Sequence, residues 1–179
     1  MKLYREFTTQ EQIDDQYDIE AVLDMESYGE WIAKLSASAR RELDCNIGVP
    51  YGPTRDEFID IFPSAEPNSP VLVFIHGGWW RSMSSRDFHL VARGLVARGV
   101  TVVIANYSLC PKVSISEITR QNRAVIAWVH RNIEQYFGDP DAIFVAGHSA
   151  GGHQVAMLSI TDWEGEYGLP QDVIRGGVP

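Results

Sequence analysis

The sequence predicts an α/β fold, a mostly parallel sheet with helices on both faces. Short apolar runs at residues 71–75, 100–105 and 143–146 are typical of strands buried on both faces, as in parallel sheets covered by helices. Segments with helical periodicity separate these runs, so strand and helix alternate along the chain. With 179 residues, 45% of them hydrophobic, the chain is long enough for one domain with a substantial core.

The first 47 residues are mostly polar and favour helices. Thr9 followed by Gln12 resembles a capping box and predicts the start of a short helix. A second helix is predicted from Tyr28 to Leu43, with a single apolar face that needs a surface to pack against. That face comprises Trp31, Ile32, Leu35 and Ala39.

Turn and strand signals follow the N-terminal helices. Residues 46–53 contain Asn, Gly and Pro and predict a turn. The alternation from Glu57 to Phe62 predicts a strand near a sheet edge. Residues 63–70 begin and end with proline, and we expect them to form a loop that leads into the strand at 71–75.

Two helices are predicted between the three buried strands. Ser84 or Ser85 is expected to cap the first helix, and Gly99 to end it. The second is a long amphipathic helix over residues 116–137, closed by a turn at residues 138–140. The apolar face of the first helix contains Phe88, Val91, Ala92 and Leu95, and that of the second contains Ile118, Val125, Ile126, Val129, Ile133 and Phe137.

The third buried strand ends in a G-x-S-x-G motif at residues 147–151, and a helical pattern follows from Ala150 to about Ile160. A strand that turns into a helix within so few residues forces Ser149 into a strained backbone conformation and leaves no room for side chains at the flanking glycines. This context favours a nucleophile elbow over a chance match. A polar loop and a further strand at residues 173–178 complete the predicted fold.

A second motif predicts stabilisation of a developing oxyanion. Residues 76–80 read HGGWW and follow the strand at 71–75, at the edge of the sheet where open α/β sheets bind their ligands. Glycines there leave backbone amides free to face a carbonyl oxygen, and the amide of Ala150 at the start of the next helix is the other expected donor. Together the two motifs predict acyl transfer, in which a serine attacks a carbonyl carbon.

Composition limits the partners of the chain. The 15 basic and 24 acidic residues give a net charge of −9 without a basic cluster, so we expect no nucleic-acid partner. Cys45 and Cys110 form no C-x-x-C pair, which favours a reducing compartment. The sequence shows no targeting segment and no run of the roughly 20 apolar residues that span a membrane. We expect a cytoplasmic protein with a small-molecule substrate and no cofactor, and leave open a homodimer.

Several segments together resemble the α/β-hydrolase superfamily, and within it the kynurenine formamidase (arylformamidase) group and its esterase neighbours. These segments are HGGxW at 76–80, NYxLxP at 106–111, GDPDxIxxxGHSAGGH at 138–153, YGP at 51–53, DIF at 60–62 and DQYD at 15–18. The resemblance implies a serine hydrolase for an aryl formamide, or a carboxylesterase for small acyl esters. A binding module that kept the elbow and lost catalysis is the alternative of another class.

The resemblance also implies roles for individual residues. Ser149 matches the nucleophile, and Gly78, Trp79 and Ala150 match the amides of the oxyanion hole, with Gly77 shaping the loop. Trp79 and Trp80 are either core residues or, like Tyr107, part of a substrate pocket. Residues 1–47 are predicted to pack on or near the active site, with residues 48–179 forming the N-terminal part of one α/β-hydrolase domain.

The chain departs from the family in one respect. The family order is serine, then acid, then histidine, with the last two after later strands. Only 30 residues follow Ser149, and the acidic residues among them precede the next predicted strand. We therefore expect the C-terminal part of the fold, roughly 80 to 120 residues with the triad Asp and His, to lie outside this sequence. The acidic residues concerned are Asp162, Glu164, Glu166 and Asp172.

The histidines offer weaker alternatives. His148 and His153 lie near Ser149 in sequence, but a triad is defined by convergent geometry rather than by proximity along the chain. His76 is expected to brace the oxyanion loop. A metal site made of these three histidines lacks a spacing such as H-E-x-x-H, so we expect no bound metal.

Overall fold

The computed structural model describes residues 2–18, 21 and 23–179. In this part of the chain the strands are β1 (Asn46–Pro50), β2 (Phe58–Phe62), β3 (Ser69–Ile75), β4 (Thr101–Ala105), β5 (Gly138–Gly147) and β6 (Ile174–Val178). They form one sheet in the order β1-β2-β4-β3-β5-β6. Strands β4, β3, β5 and β6 are parallel, whereas β1 and β2 are antiparallel to their neighbours.

Helices connect the strands and cover both faces of the sheet. The α-helices of the described residues are α1 (Gln10–Asp14), α2 (Met25–Glu42), α3 (Leu90–Val96), α4 (Ile115–Asn132), α5 (Ala150–Ser159) and α6 (Trp163–Tyr167). Short 3-10 turns lie at Asp15–Tyr17, Ser85–Asp87 and Ile133–Tyr136. The predicted mostly parallel α/β architecture is therefore confirmed.

Alternate residues of each central strand enter two separate apolar cores. Val73 and Ile75 of β3 pack in the larger core, which α4, α5 and α6 cover. Phe74 of the same strand packs in the smaller core, with Phe88 and Ala92 from the α3 region. Since both faces are buried, the central strands need no polar alternation, which is why they are continuous apolar runs.

The N-terminal helices follow the predicted capping but differ in packing. Thr9 and Gln12 form the predicted capping box of α1. Asp24 caps α2, which begins at Met25, three residues before the predicted start. Trp31 was expected on the apolar face, but it is 52% exposed and stacks on Tyr28. The buried face of α2 is formed by Ile32, Ser36, Ser38 and Ala39. Residues 1, 19, 20 and 22 of the predicted segment 1–47 lie outside the described residues.

Three further sequence predictions are wrong. Residues 46–50 form strand β1 instead of a turn, because Gly48 at φ +76° accommodates an irregularity in the pairing with β2. Residues 138–140 belong to β5 instead of closing a helix. The preceding 3-10 turn, Ile133–Tyr136, is terminated by Phe137, which has φ +63°. The loop after α5 contains a short helix, α6, that Asp162 caps through the amide of Gly165.

A buried polar network around Asp60 joins β2 to α2 and to the segment that leads into α3. The Asp60 carboxylate accepts hydrogen bonds from Ser85 Oγ at 2.6 Å, His89 Nε2 at 2.8 Å and the Gly48 amide at 2.8 Å. Arg40 of α2 approaches His89 Nδ1 at 2.9 Å. Burial tends to raise the pKa of Asp60, but the hydrogen bonds from His89, Ser85 and Gly48 outweigh it and lower the pKa below its usual value.

Replacing Asp60 by asparagine should lower the free energy of unfolding by about 2–4 kcal/mol at pH 7, because buried donors lose a charged acceptor. Since the folded-state pKa lies below the unfolded value of about 3.9, this contribution is fully present above about pH 4 and is lost as the pH falls through the folded-state pKa. Urea titrations at pH 7 and at lower pH measure both effects. The exposed Asp172→Asn change is the control and should cost less than about 0.5 kcal/mol.

Two further observations concern the whole of the described chain. None of its helices combines the length and the apolar character that a bilayer crossing requires. Cys45 and Cys110 both carry free thiols.

Candidate functional site

The G-x-S-x-G motif forms the predicted sharp turn between a strand and a helix. Strand β5 ends at Gly147 and helix α5 begins at Ala150. Between them Ser149 has φ 55° and ψ −114°, a conformation that residues with a side chain rarely adopt. The side chain of Ser149 is exposed, although its strand neighbour Val145 is fully buried. The predicted strain is present, and the residue that bears it is exposed.

The glycines of the elbow are required by close backbone contacts. A Cβ atom on Gly151 would lie 2.0 Å from the carbonyl oxygen of Ile75, the last residue of β3. A Cβ atom on Gly147 would lie 2.3 Å from the carbonyl oxygen of Gly151. No side chain fits at either position, because backbone atoms cannot move aside as a flexible side chain can.

The register of the sheet brings the HGGWW loop to the elbow. Strand β3 pairs with β5 so that Ile75 lies opposite Gly147, and both strands end at the same edge. The amide of His148 donates to the carbonyl of Ile75 at 3.2 Å. A Cβ atom on Gly77 would lie 2.7 Å from the His148 carbonyl oxygen and 3.2 Å from Ser149 Cβ. Two motifs about 70 residues apart in sequence are therefore in contact.

The backbone of the loop has an unusual conformation. Gly78, Trp79, Trp80 and Met83 all have positive φ, at 106°, 55°, 58° and 69°. Such strain is common at functional sites and persists only where the surroundings hold it in place. Within the described residues, no acceptor takes the backbone amides of Gly77, Gly78 and Trp79. That these amides bind a substrate oxygen stays a prediction.

His76 braces this loop from the protein interior, as the sequence predicted. Its ring is fully buried and stacks on Tyr107 at a centroid distance of 4.2 Å. Since a carbonyl can only accept, the 2.8 Å contact to the Gly77 oxygen requires a proton on Nδ1. Burial lowers the pKa of His76 to about 4, so the ring is neutral at physiological pH. The Tyr107 hydroxyl donates to the His76 carbonyl at 2.7 Å and supports the same segment.

Comparison with known sequences identifies the family. The profile of the BD-FAE family matches residues 59–171, more than half of the chain and a span that includes both motifs. The chain belongs to the BD-FAE family. It is 34% identical over 127 residues to a protein named kynurenine formamidase from Danio rerio, covering 70% of this chain and 42% of the relative.

An esterase is also among the relatives of this BD-FAE chain. Over 120 residues it is 36% identical to Esterase LipQ of Mycobacterium tuberculosis, covering 63% of this chain and 28% of that protein. The chain thus spans less than half the length of these two curated relatives. The sequence-based assignment to the group of formamidases and esterases is confirmed.

Solved structures confirm the α/β-hydrolase fold. A provisionally assigned thioesterase from Silicibacter sp. TM1040 superposes with a TM-score of 0.73 at 31% identity, covering 89% of this chain and 58% of that chain. Esterase B from Lactobacillus rhamnosis superposes with a TM-score of 0.63 at 18% identity, covering 82% of this chain and 51% of that chain, and supports the fold alone.

The aromatic residues of the BD-FAE site differ in their surroundings. Trp79 is 62% exposed at the tip of the loop, where a ligand can reach it. Trp80 packs against the larger core and meets the ring of His153 edge-on at 5.4 Å. Tyr107 is buried, and its hydroxyl is already engaged, so its contact with substrate remains a prediction. Tyr107 also lines a groove together with Met83, Leu109 and Cys110.

The described histidines do not complete a triad with Ser149. His148 and His153 are exposed, and neither contacts a carboxylate among the described residues. His153 Nδ1 instead lies 3.1 Å from Gln154 Nε2. His89 does pair with a carboxylate, Asp60, but both side chains are fully buried in the network beside α2.

The acidic residues after α5 are engaged elsewhere. Asp162 caps α6, Glu166 lies 3.7 Å from Arg123, and Asp172 pairs with Arg175. Glu164 lies in the first turn of α6 and is exposed. Within the described residues, none of the four contacts His148 or His153, which agrees with the expectation that they do not orient a catalytic base.

Sequence reasoning missed one polar residue of the site. Ser82 donates through its hydroxyl to the carbonyl of Gly78 at 2.8 Å. The available signal was a serine four residues after a glycine, on a loop next to a nucleophile motif. Such spacing is too common to single out a residue before the loop conformation is known.

Proposed function

We propose that the full-length protein is a serine hydrolase that cleaves an aryl formamide, such as N-formyl-L-kynurenine, through an acyl-enzyme intermediate. The observation that carries this proposal is the contact between the strained Ser149 and a loop whose amides have no acceptor among the described residues. Acyl transfer needs a nucleophile and oxyanion donors in this arrangement. The formamide substrate is supported by the relative named kynurenine formamidase.

In the proposed reaction Ser149 Oγ attacks the formyl carbon while a general base takes the hydroxyl proton. The negative charge that develops on the formyl oxygen is stabilised by the amides of Gly78, Trp79 and Ala150, of which the last lies at the positive end of α5. The C–N bond then breaks, and the aryl amine leaves with the proton. Water hydrolyses the formyl ester, releases formate and restores Ser149.

We further propose that the base and its orienting acid come from another segment of the protein, which carries a His and an Asp. Two observations support this. Among the described residues, His89 is the one histidine paired with a carboxylate, and it is buried away from solvent. The curated relatives are longer than the region that aligns with this chain.

Location and partners are also proposals. The two free thiols support a reducing compartment, and we propose the cytoplasm. The partner is a small-molecule substrate, and the net charge of −9 opposes nucleic-acid binding.

A carboxylesterase for small acyl esters is the second candidate. It is favoured by the relative named Esterase LipQ, whose identity to this chain is similar to that of the formamidase relative. Nothing in the elbow or the loop distinguishes a formamide carbonyl from an ester carbonyl, because both develop the same oxyanion. The leaving group therefore decides between the two activities.

The two candidates are distinguished by kcat/KM on N-formyl-L-kynurenine and on p-nitrophenyl acetate. For the full-length protein we expect a preference of at least about tenfold for the formamide, the ratio that corresponds to about 1.4 kcal/mol of differential transition-state binding. A smaller preference, or one for the ester, would show that the protein is a carboxylesterase. The Ser149→Ala protein is the background control for both assays.

A further inference from the structure

The carbonyl of Gly78 receives more hydrogen bonds than is usual for a loop. The amides of Arg81 and Ser82 both donate to it at 3.0 Å. The hydroxyl of Ser82 adds a third hydrogen bond at 2.8 Å. A carbonyl oxygen has two lone pairs, so three donors hold it firmly in one direction.

This carbonyl belongs to the same peptide group as the amide of Trp79. The peptide is planar and trans, because the one cis bond in the described chain joins Cys110 to Pro111. In a trans peptide the N–H and the C=O point in opposite directions. The donors on the Gly78 carbonyl therefore fix the direction of the Trp79 amide as well.

The preceding peptide is held in the same manner. His76 Nδ1 donates to the carbonyl of Gly77 at 2.8 Å, and this carbonyl shares a peptide group with the amide of Gly78. The two loop amides assigned to the oxyanion hole, those of Gly78 and Trp79, are thus oriented by side chains that act on the opposite end of their peptides. Of these two side chains His76 is fully buried and Ser82 is exposed, so Ser82 can be altered without opening the core.

We propose that Ser82 is a positioning residue for the oxyanion hole, acting through the Gly78 carbonyl to hold the Trp79 amide toward the reacting carbonyl. The inference rests on the proposed hydrolase function. It also gives a stabilising contact to a loop with four positive-φ residues. Preorganised donors stabilise a transition state better than mobile ones, because they need not reorient as charge develops.

Ser82→Ala in the full-length protein tests the proposal. We expect kcat on N-formyl-L-kynurenine or p-nitrophenyl acetate to fall about 3- to 10-fold, as for the loss of one net hydrogen bond, with KM changed less than about twofold. Ser82→Thr keeps the hydroxyl and should restore most of the loss. The inhibition constant of an aryl trifluoromethyl ketone, which forms an oxyanion on Ser149, should rise by the same factor as kcat falls.

Ser159→Ala is the matched control. Its hydroxyl also donates to a carbonyl four residues earlier, that of Val155, at 2.9 Å, but it lies at the far end of α5. Its kcat and its inhibition constant should equal those of the wild type. Affinity for the aryl amine product, which forms no adduct with Ser149 and so places no oxyanion in the hole, should be unchanged in both variants.

The outcomes separate the two proposals. If the wild-type protein hydrolyses neither substrate and its Ser149 is not labelled by a fluorophosphonate, the proposed function fails and the role of Ser82 fails with it. If the wild type is active and Ser82→Ala matches it in kcat and in trifluoromethyl ketone affinity, the inference alone is overturned. A variant that loses kcat, product affinity and thermal midpoint together would show a general structural role and would also overturn it.

Discussion

Replacing Ser149 by alanine should reduce kcat of the full-length protein by at least about 10⁴-fold on either substrate. The change removes the only protein atom proposed to bond to the acyl carbon, and loss of a serine nucleophile in comparable enzymes has effects of this size or larger. A fluorophosphonate should label the wild type once per chain and leave the variant unlabelled. The measurement is intact mass together with steady-state kinetics.

A second substitution, Ser149→Gly, serves as a control for the strained backbone of Ser149. Alanine keeps the strain at φ 55°, whereas glycine relieves it. Ser149→Gly should therefore have a higher thermal midpoint than Ser149→Ala, although both are inactive. Residual activity within tenfold of the wild type in either variant would contradict the assignment of the nucleophile. A wild type that binds substrate without turnover or labelling would instead indicate the non-catalytic binding module.

Gly151→Ala should lower the free energy of unfolding by about 3 kcal/mol or more and abolish activity. Its new methyl group would lie 2.0 Å from the carbonyl oxygen of Ile75 and 2.9 Å from that of His76. These are backbone atoms at the end of β3, so relief requires β3 and α5 to move apart. That movement separates the HGGWW loop from the elbow. Urea denaturation and fluorophosphonate labelling measure the two consequences.

Gly94→Ala is the matched control for this substitution. Gly94 lies within α3, and the nearest atom to its added methyl group is Arg98 Nη1 at 3.6 Å, an ordinary contact. Alanine at an unstrained helical position should raise the free energy of unfolding by about 0.5–1 kcal/mol and leave activity unchanged. If Gly151→Ala changes the free energy of unfolding and the activity as little as Gly94→Ala does, the close approach of β3 to α5 is not needed to hold the site together.

The elbow and the buried strands could be predicted because their signals are local. Whether Ser149 is strained depends on the few residues that join β5 to α5, and a strand buried on both faces has a recognisable apolar run. Gly48 and Phe137 show the limit of such reasoning. Each adopts a positive φ, Gly48 within strand β1, where a turn was predicted, and Phe137 just before β5, where the predicted helix had its last residue.

The surroundings of polar residues could not be predicted, because they depend on partners distant in sequence. Asp60 alternates with apolar neighbours and would be solvated on an isolated strand, yet it is buried because Ser85, His89 and the Gly48 amide surround it. Trp31 is the opposite case. It fits the apolar pattern of its helix but is 52% exposed and stacks on Tyr28 of the same helix.

By itself the sequence determined the nucleophile motif, the glycine loop and the strands that precede them, since each is encoded within a dozen neighbouring residues. Only the tertiary structure decided that they form one site. The pairing of Ile75 with Gly147 places the two strand ends side by side, and this register depends on the packing of the whole sheet. The direction of the loop amides was decided in the same way, because it depends on hydrogen bonds from His76 and Ser82 that form only when the loop is folded.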